Sequence, residues 1–108
     1  MSQGSPKSFS AFVSNAIDGD ISVFRLDAAS GRIDLTDRYA AAETVMPLAV
    51  SNDQQLLYAA IRGTSPAIAT YAVDSHTGRL RHRRSVPIES SLAYLSIDPS
   101  GRYLFGAS

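Results

Sequence analysis

An all-β chain of four-stranded antiparallel propeller blades is the fold class this sequence predicts, and three observations predict it. The segment ISVFRLDAASGRI (Ile21–Ile33) aligns without a gap on IATYAVDSHTGRL (Ile68–Leu80), 47 positions later. At the same offset, LAVSNDQQLLYAA (Leu48–Ala60) aligns on LSIDPSGRYLFGA (Leu95–Ala107). Apolar residues throughout follow a period of two or short continuous runs and never sustain a helical spacing. Two independent segments sharing one period indicate a unit stacked on copies of itself.

Each element follows in order. Ile21, Val23 and Leu26 mark one β run, and Asp27-Ala28-Ala29-Ser30-Gly31 is a five-residue hairpin connection whose glycine can take a left-handed conformation. The next unit is complete. Its strand A lies around Pro47 to Ser51, with the turn Ser51-Asn52-Asp53-Gln54 after it. Strand B runs from Leu56 to Ile61, C from Ile68 to Val73 and D from Leu80 to Val86, with the hairpin Asp74-Ser75-His76-Thr77-Gly78 between C and D. Asp98-Pro99-Ser100-Gly101 then carries Asp, Pro and Gly at the positions a type I turn favours, ahead of the run Tyr103, Leu104, Phe105. β-branched and aromatic residues concentrate in the runs, as pleated half-buried surfaces require. The chain reads B-C-D of one blade, all of a second and A-B of a third, over residues 9–108, after an extended or disordered tail over 1–8. That is about 2.3 blades, because 108 residues are divided by a repeat of 47. Such a piece leaves blade faces and edges uncovered, so the remaining blades are expected as partners, from the same gene product, a second chain or self-association.

Composition narrows the function classes. Ten basic against ten acidic side chains give no net charge, so no footprint for nucleic acid or an anionic membrane is present. The absence of cysteine excludes disulfides, thiolate metal sites and a cysteine nucleophile. No run approaches the ~20 apolar residues of a membrane span. The polar start MSQGSPKSFS lacks the apolar core of a signal peptide, which makes the cytoplasm the expected compartment.

The signatures FVSNAIDGDISVFRLDAASGRI, PLAVSNDQQLLYAAIR and LSIDPSGRYLFGAS resemble the lactonase family of seven-bladed β-propellers, the group that includes the bacterial 6-phosphogluconolactonases. The resemblance runs from about Phe9 onward and corresponds to the first third of a family member. It implies hydrolysis of a sugar-phosphate lactone such as 6-phosphogluconolactone, in the pentose phosphate pathway, without a cofactor. It also implies that the acid, base and phosphate-binding groups lie mainly on middle and later blades, so no catalytic residue is assigned here. A non-catalytic propeller that binds a metabolite or a protein in its funnel is the alternative, since one fold hosts both kinds of function.

Two residues are candidate substrate-binding groups. With A–B and C–D hairpins at one end, antiparallel alternation sends the B–C and D–A connections to the other, where a propeller funnel opens. Arg62 precedes Gly63-Thr64-Ser65-Pro66 at that end, together with Met46-Pro47 and Ser90 to Tyr94. Its guanidinium suits a phosphate or carboxylate, and the family resemblance implies an arginine there. Asn15, beside Ser14 and Asp18 in the equivalent loop of the first blade, suits a sugar hydroxyl but is also an ordinary turn former. Tyr94 reads as a packed core tyrosine. His76 and His82 fall on a hairpin and an outer strand, with no spacing that suits a metal, and both are expected to face solvent. Arg79, Arg81, Arg83 and Arg84 read as charges protecting an exposed edge.

Overall fold

The computed structural model describes residues 8–41 and 44–107, which carry nine strands in three antiparallel sheets. Three strands form the first sheet: β1 (Ser8–Asn15), β2 (Asp20–Asp27) and β3 (Arg32–Ala40). Four form the second, in chain order: β4 (Thr44–Val50), β5 (Leu56–Arg62), β6 (Ala67–Val73) and β7 (Leu80–Pro87). The hairpin of β8 (Tyr94–Ile97) and β9 (Leu104–Ala107) forms the third. Ser8 opens β1, while the rest of the tail expected over 1–8 lies outside the described residues.

One boundary differs instructively from the sequence pattern. β4 begins at Thr44, earlier than the Pro47 start that the pattern suggested. Thr44 and Val45 pair with Arg62 and Ile61, after which the register shifts before Leu48 meets Ala59. Met46 and Pro47 therefore sit together opposite the single residue Ala60, forming a β-bulge. Proline is tolerated there because β4 is the first strand of its sheet and a bulge asks no ladder donor of it.

Period-two burial places the core between the first and second sheets. Ile21 and Val23 of β2 meet Val45, Leu57, Ala59, Ala69, Tyr71 and Leu80 of the second sheet, and all of these are buried. Phe12, Tyr39, Leu48, Ile61 and Val73 pack around them. Tyr71 is the largest fully buried side chain; it meets the Tyr39 ring edge-on at 5.1 Å and the His82 ring at 5.5 Å. Burial, and then the neighbouring Tyr39 hydroxyl, push the Tyr71 phenol up to about 12. Tyr71 is thus a neutral packing element at any physiological pH.

Turn chemistry repeats with the sheets. The Gly31 N–H donates to the Asp27 carbonyl at 2.8 Å, and the Gly78 N–H donates to the Asp74 carbonyl at 2.8 Å. Both glycines are left-handed, at φ 75° and 76°. The carboxylates of Asp27 and Asp74 accept further N–H groups inside the same hairpins. Contacts between sheets follow the same register. The Asn52 side chain donates to the Pro99 carbonyl at 2.7 Å, joining two residues that are 47 positions apart and so occupy one place in successive repeats.

Several large apolar side chains stay open. On the first sheet, the face turned away from the second exposes Val13, Ile33 and Leu35. Tyr94 is 62% exposed, against the packed core position expected for it. It starts a hairpin of only two strands, and no described element lies over its ring. Arg81, Arg83 and Arg84 are exposed on β7, which pairs only with β6 and is a sheet edge.

Candidate functional site

The loops divide between two ends of the sheets. At one end lie the turns between β2 and β3, β4 and β5, β6 and β7, and β8 and β9. Their carboxylates are spent on the turns themselves. The Ser51 hydroxyl and the Gln55 N–H hold the Asp53 carboxyl below the usual range. The N–H groups of Thr77 and His76 do the same for Asp74. At Asp98 the Ser100 hydroxyl acts first, then the Tyr103 N–H. A cleft of about 350 Å³ between the first two sheets opens at this end, among Phe9, Phe12, Arg25, Val50, Asp53 and Asp74. Its acids, Asp53 and Asp74, already serve as turn locks.

The opposite end gathers the β1–β2, β5–β6 and β7–β8 connections, and here the polar groups of different sheets meet. Ser14, near the end of β1, donates its hydroxyl to the Met46 carbonyl of β4 at 2.5 Å. Arg62, the last residue of β5, donates from Nη1 to the Met46 Sδ at 3.0 Å. Across the next connection, the Ile88 N–H donates to the Pro66 carbonyl at 3.0 Å. Arg62 is half-buried and paired with Thr44, so it belongs to the strand rather than to the loop after it. A strand end holds its guanidinium more firmly than a loop would.

The two candidate binding residues are not brought together. Ser14 and Asn15 are adjacent on a strand and project to opposite faces. Ser14 turns to Met46 and so to Arg62. Asn15 donates its amide to Asp20 at 2.6 Å and to Ser22 at 2.8 Å, which engages both of its N–H groups within its own hairpin. Arg38 lies 3.7 Å from Asp20 and extends this cluster to β3.

His76 and His82 are exposed. His82 also places its Nε2 2.9 Å from the Ser85 hydroxyl while its ring packs on Tyr71. Among the described residues, no group of three His, Cys, Asp or Glu side chains could hold a metal ion. No helix there is long and apolar enough to cross a membrane. The sequence places Ser14 and Met46 at this end but does not show the contacts that join them to each other and to Arg62. The available signal was Pro47 inside a strand, which marks a bulge and a redirected neighbour.

Comparison with known proteins adds an independent observation. The family model described as "Lactonase, 7-bladed beta-propeller" matches residues 9–108. A 6-phosphogluconolactonase of Cronobacter sakazakii is 33% identical over 88 residues, covering 82% of this chain and 26% of that protein. The corresponding protein of Serratia proteamaculans is 32% identical over 99 residues, covering 90% of this chain and 28% of its own length. A crystal structure from Bacteroides fragilis, provisionally named 6-phosphogluconolactonase, superposes with a TM-score of 0.82 at 27% identity, over 93% of this chain and 28% of that one. The periplasmic gluconolactonase of Pseudomonas aeruginosa superposes with a TM-score of 0.75 at 25% identity, over 92% of this chain and 30% of that one. The chain thus spans between 26% and 30% of the length of these relatives.

Proposed function

The chain belongs to the seven-bladed β-propeller lactonase family, and from that membership we propose that it forms part of an enzyme hydrolysing a sugar-phosphate lactone such as 6-phosphogluconolactone. The observation that carries the proposal is Arg62. It is oriented at the mouth by Met46, and it makes no ion pair among the described residues. A guanidinium held in place yet not neutralised suits the phosphate or carboxylate of a substrate.

In this reading the reaction proceeds by attack of water on the lactone carbonyl. A general base takes the proton of the water as its oxygen bonds to the carbonyl carbon. The ring C–O bond then breaks, and the ring oxygen leaves with a proton as a hydroxyl. The developing oxyanion needs donors already in place. The base and those donors are assigned to blades outside these residues. Arg62 anchors the substrate's anionic end. Asn15 has only its carbonyl oxygen left to offer a sugar hydroxyl, a smaller part than an open amide would play. No cofactor is required by this chemistry. The cytoplasm is the proposed compartment, and cell fractionation distinguishes it from the periplasm of the Pseudomonas aeruginosa relative.

The test is turnover of 6-phosphogluconolactone by the assembled propeller, with and without Arg62→Ala. The expected result is acceleration over spontaneous ring opening, with kcat/KM falling about tenfold or more on losing a charge-assisted contact. Rates equal to spontaneous opening would reject the substrate. Binding without turnover would favour the non-catalytic funnel instead.

A further inference from the structure

We propose that Met46 is a positioning residue that aims Arg62 at an anionic ligand without neutralising it; the inference rests on Arg62 being the anion-binding group. Three features support it.

The first is the way Met46 is placed. The bulge puts Met46 and Pro47 opposite Ala60, which takes the Met46 peptide out of the regular ladder. Its carbonyl is left to accept the Ser14 hydroxyl of the neighbouring sheet. Pro47, which has no N–H, keeps the distortion from costing a ladder donor. Met46 is therefore held from β1 through its backbone, while its side chain reaches β5.

The second feature is the partner it offers. A guanidinium has five N–H donors in a planar fork. Met46 Sδ engages Nη1 at 3.0 Å, and among the described residues no other side chain takes the remaining donors, which stay available to a ligand. Carboxylates accept the pairs formed by other arginines, as in Arg32 with Asp34 and Arg38 with Asp20. Such a partner at Arg62 would orient the fork equally well but would cancel its charge. A thioether is a weak, neutral, polarisable acceptor. It fixes direction and leaves the positive charge for the incoming anion.

The third is location. Met46 is 42% exposed. The thioether and the arginine therefore meet at an accessible rim, where a ligand can reach both. A core methionine would not do this.

The experiment uses the assembled propeller and 6-phosphogluconate, a stable anion of the proposed product class, with binding read by calorimetry and lactone turnover read in parallel. Met46→Leu keeps volume and apolarity but accepts no hydrogen bond. Its expected effect is about fivefold weaker binding, the equivalent of one modest hydrogen bond. KM should rise by a similar factor with kcat unchanged, as loss of uniform binding requires. Met46→Gln supplies a neutral carbonyl acceptor and should restore affinity to within about twofold of the parent. Restoration by Gln separates positioning from simple packing, because Gln is the poorer packing residue. Unchanged binding in Met46→Leu, or equal weakness in Met46→Gln, overturns the inference. If Arg62→Ala weakens binding while Met46→Leu does not, only the role of Met46 is lost. If Arg62→Ala also binds as the parent does, the anion-binding role of Arg62 falls and this inference falls with it.

Discussion

Gln54 shows how one side chain can stand against the repeat that surrounds it. It has φ 60°, while Gly101, its counterpart one repeat later, has φ 77°. Both residues close the same type of turn, with the Gln54 N–H donating to the Ser51 carbonyl and the Gly101 N–H to the Asp98 carbonyl. A left-handed conformation costs a non-glycine residue about 1–2 kcal/mol. Gln54→Gly should therefore raise stability by about 1 kcal/mol, after allowing for glycine's greater freedom in the unfolded chain. An upward shift in the urea midpoint of the assembled propeller checks this, and a downward shift would show that the Gln54 side chain makes compensating contacts. Single residues were legible to the extent that they were turn formers. Asp27, Asp74 and Asp98 occupy the turn positions expected of them, each carboxylate accepting N–H groups of its own turn. The contact of Met46 with Arg62 was not legible, although both were placed at one end. Its importance comes from a two-for-one pairing across β4 and β5, and a ladder shift leaves no trace in the apolar pattern except the neighbouring proline.

At the scale of elements, the hairpins β2–β3 and β6–β7 are copies in different surroundings. Their glycines share a left-handed φ, so alanine at either position carries the same backbone penalty of about 1–2 kcal/mol. The surroundings separate them. A Cβ at Gly78 would overlap Ser10 and come within 3.0 Å of Val23, both of the preceding sheet, whereas a Cβ at Gly31 meets nothing within 4 Å. In the chain as described, Gly78→Ala must then be the more damaging change. In an assembled propeller, a blade over the first sheet would give Gly31 the environment that Gly78 has here. There the account predicts equal losses, within about 0.5 kcal/mol, for Gly31→Ala and Gly78→Ala by chemical denaturation. A Gly31→Ala loss milder by about 1 kcal/mol or more would mean that no blade covers that hairpin. Strand order and hairpin class were legible because the period-two runs and the Gly-bearing turns recur at one offset. The packing of His82 against Tyr71 was not, because it depends on a register shift between Thr70 and Tyr71 that brings Tyr71 opposite His82.

The described residues form a four-stranded sheet between a three-stranded and a two-stranded one, with the core concentrated between the first and second sheets. Large apolar side chains lie open elsewhere on these sheets. Ile33 and Leu35 are 62% and 57% exposed, and Ile33 is the repeat counterpart of Leu80, which is buried. The same apolar position is thus buried on the second sheet and open on the first, where no described sheet covers it. Tyr94 and Phe105 on the third sheet, and Tyr103 just before β9, are exposed as well. Exposed apolar surface of this kind drives association or loss of fixed packing. Arg62 and Met46 meet at the end of the sheets that holds the β1–β2, β5–β6 and β7–β8 connections. The most direct measurement is the solution state of the purified 108-residue chain, by analytical ultracentrifugation together with urea unfolding. Association or a broad, non-cooperative transition, relieved when further blades are supplied, is the expected result. A monodisperse 11.5 kDa monomer that unfolds in one cooperative step would contradict it.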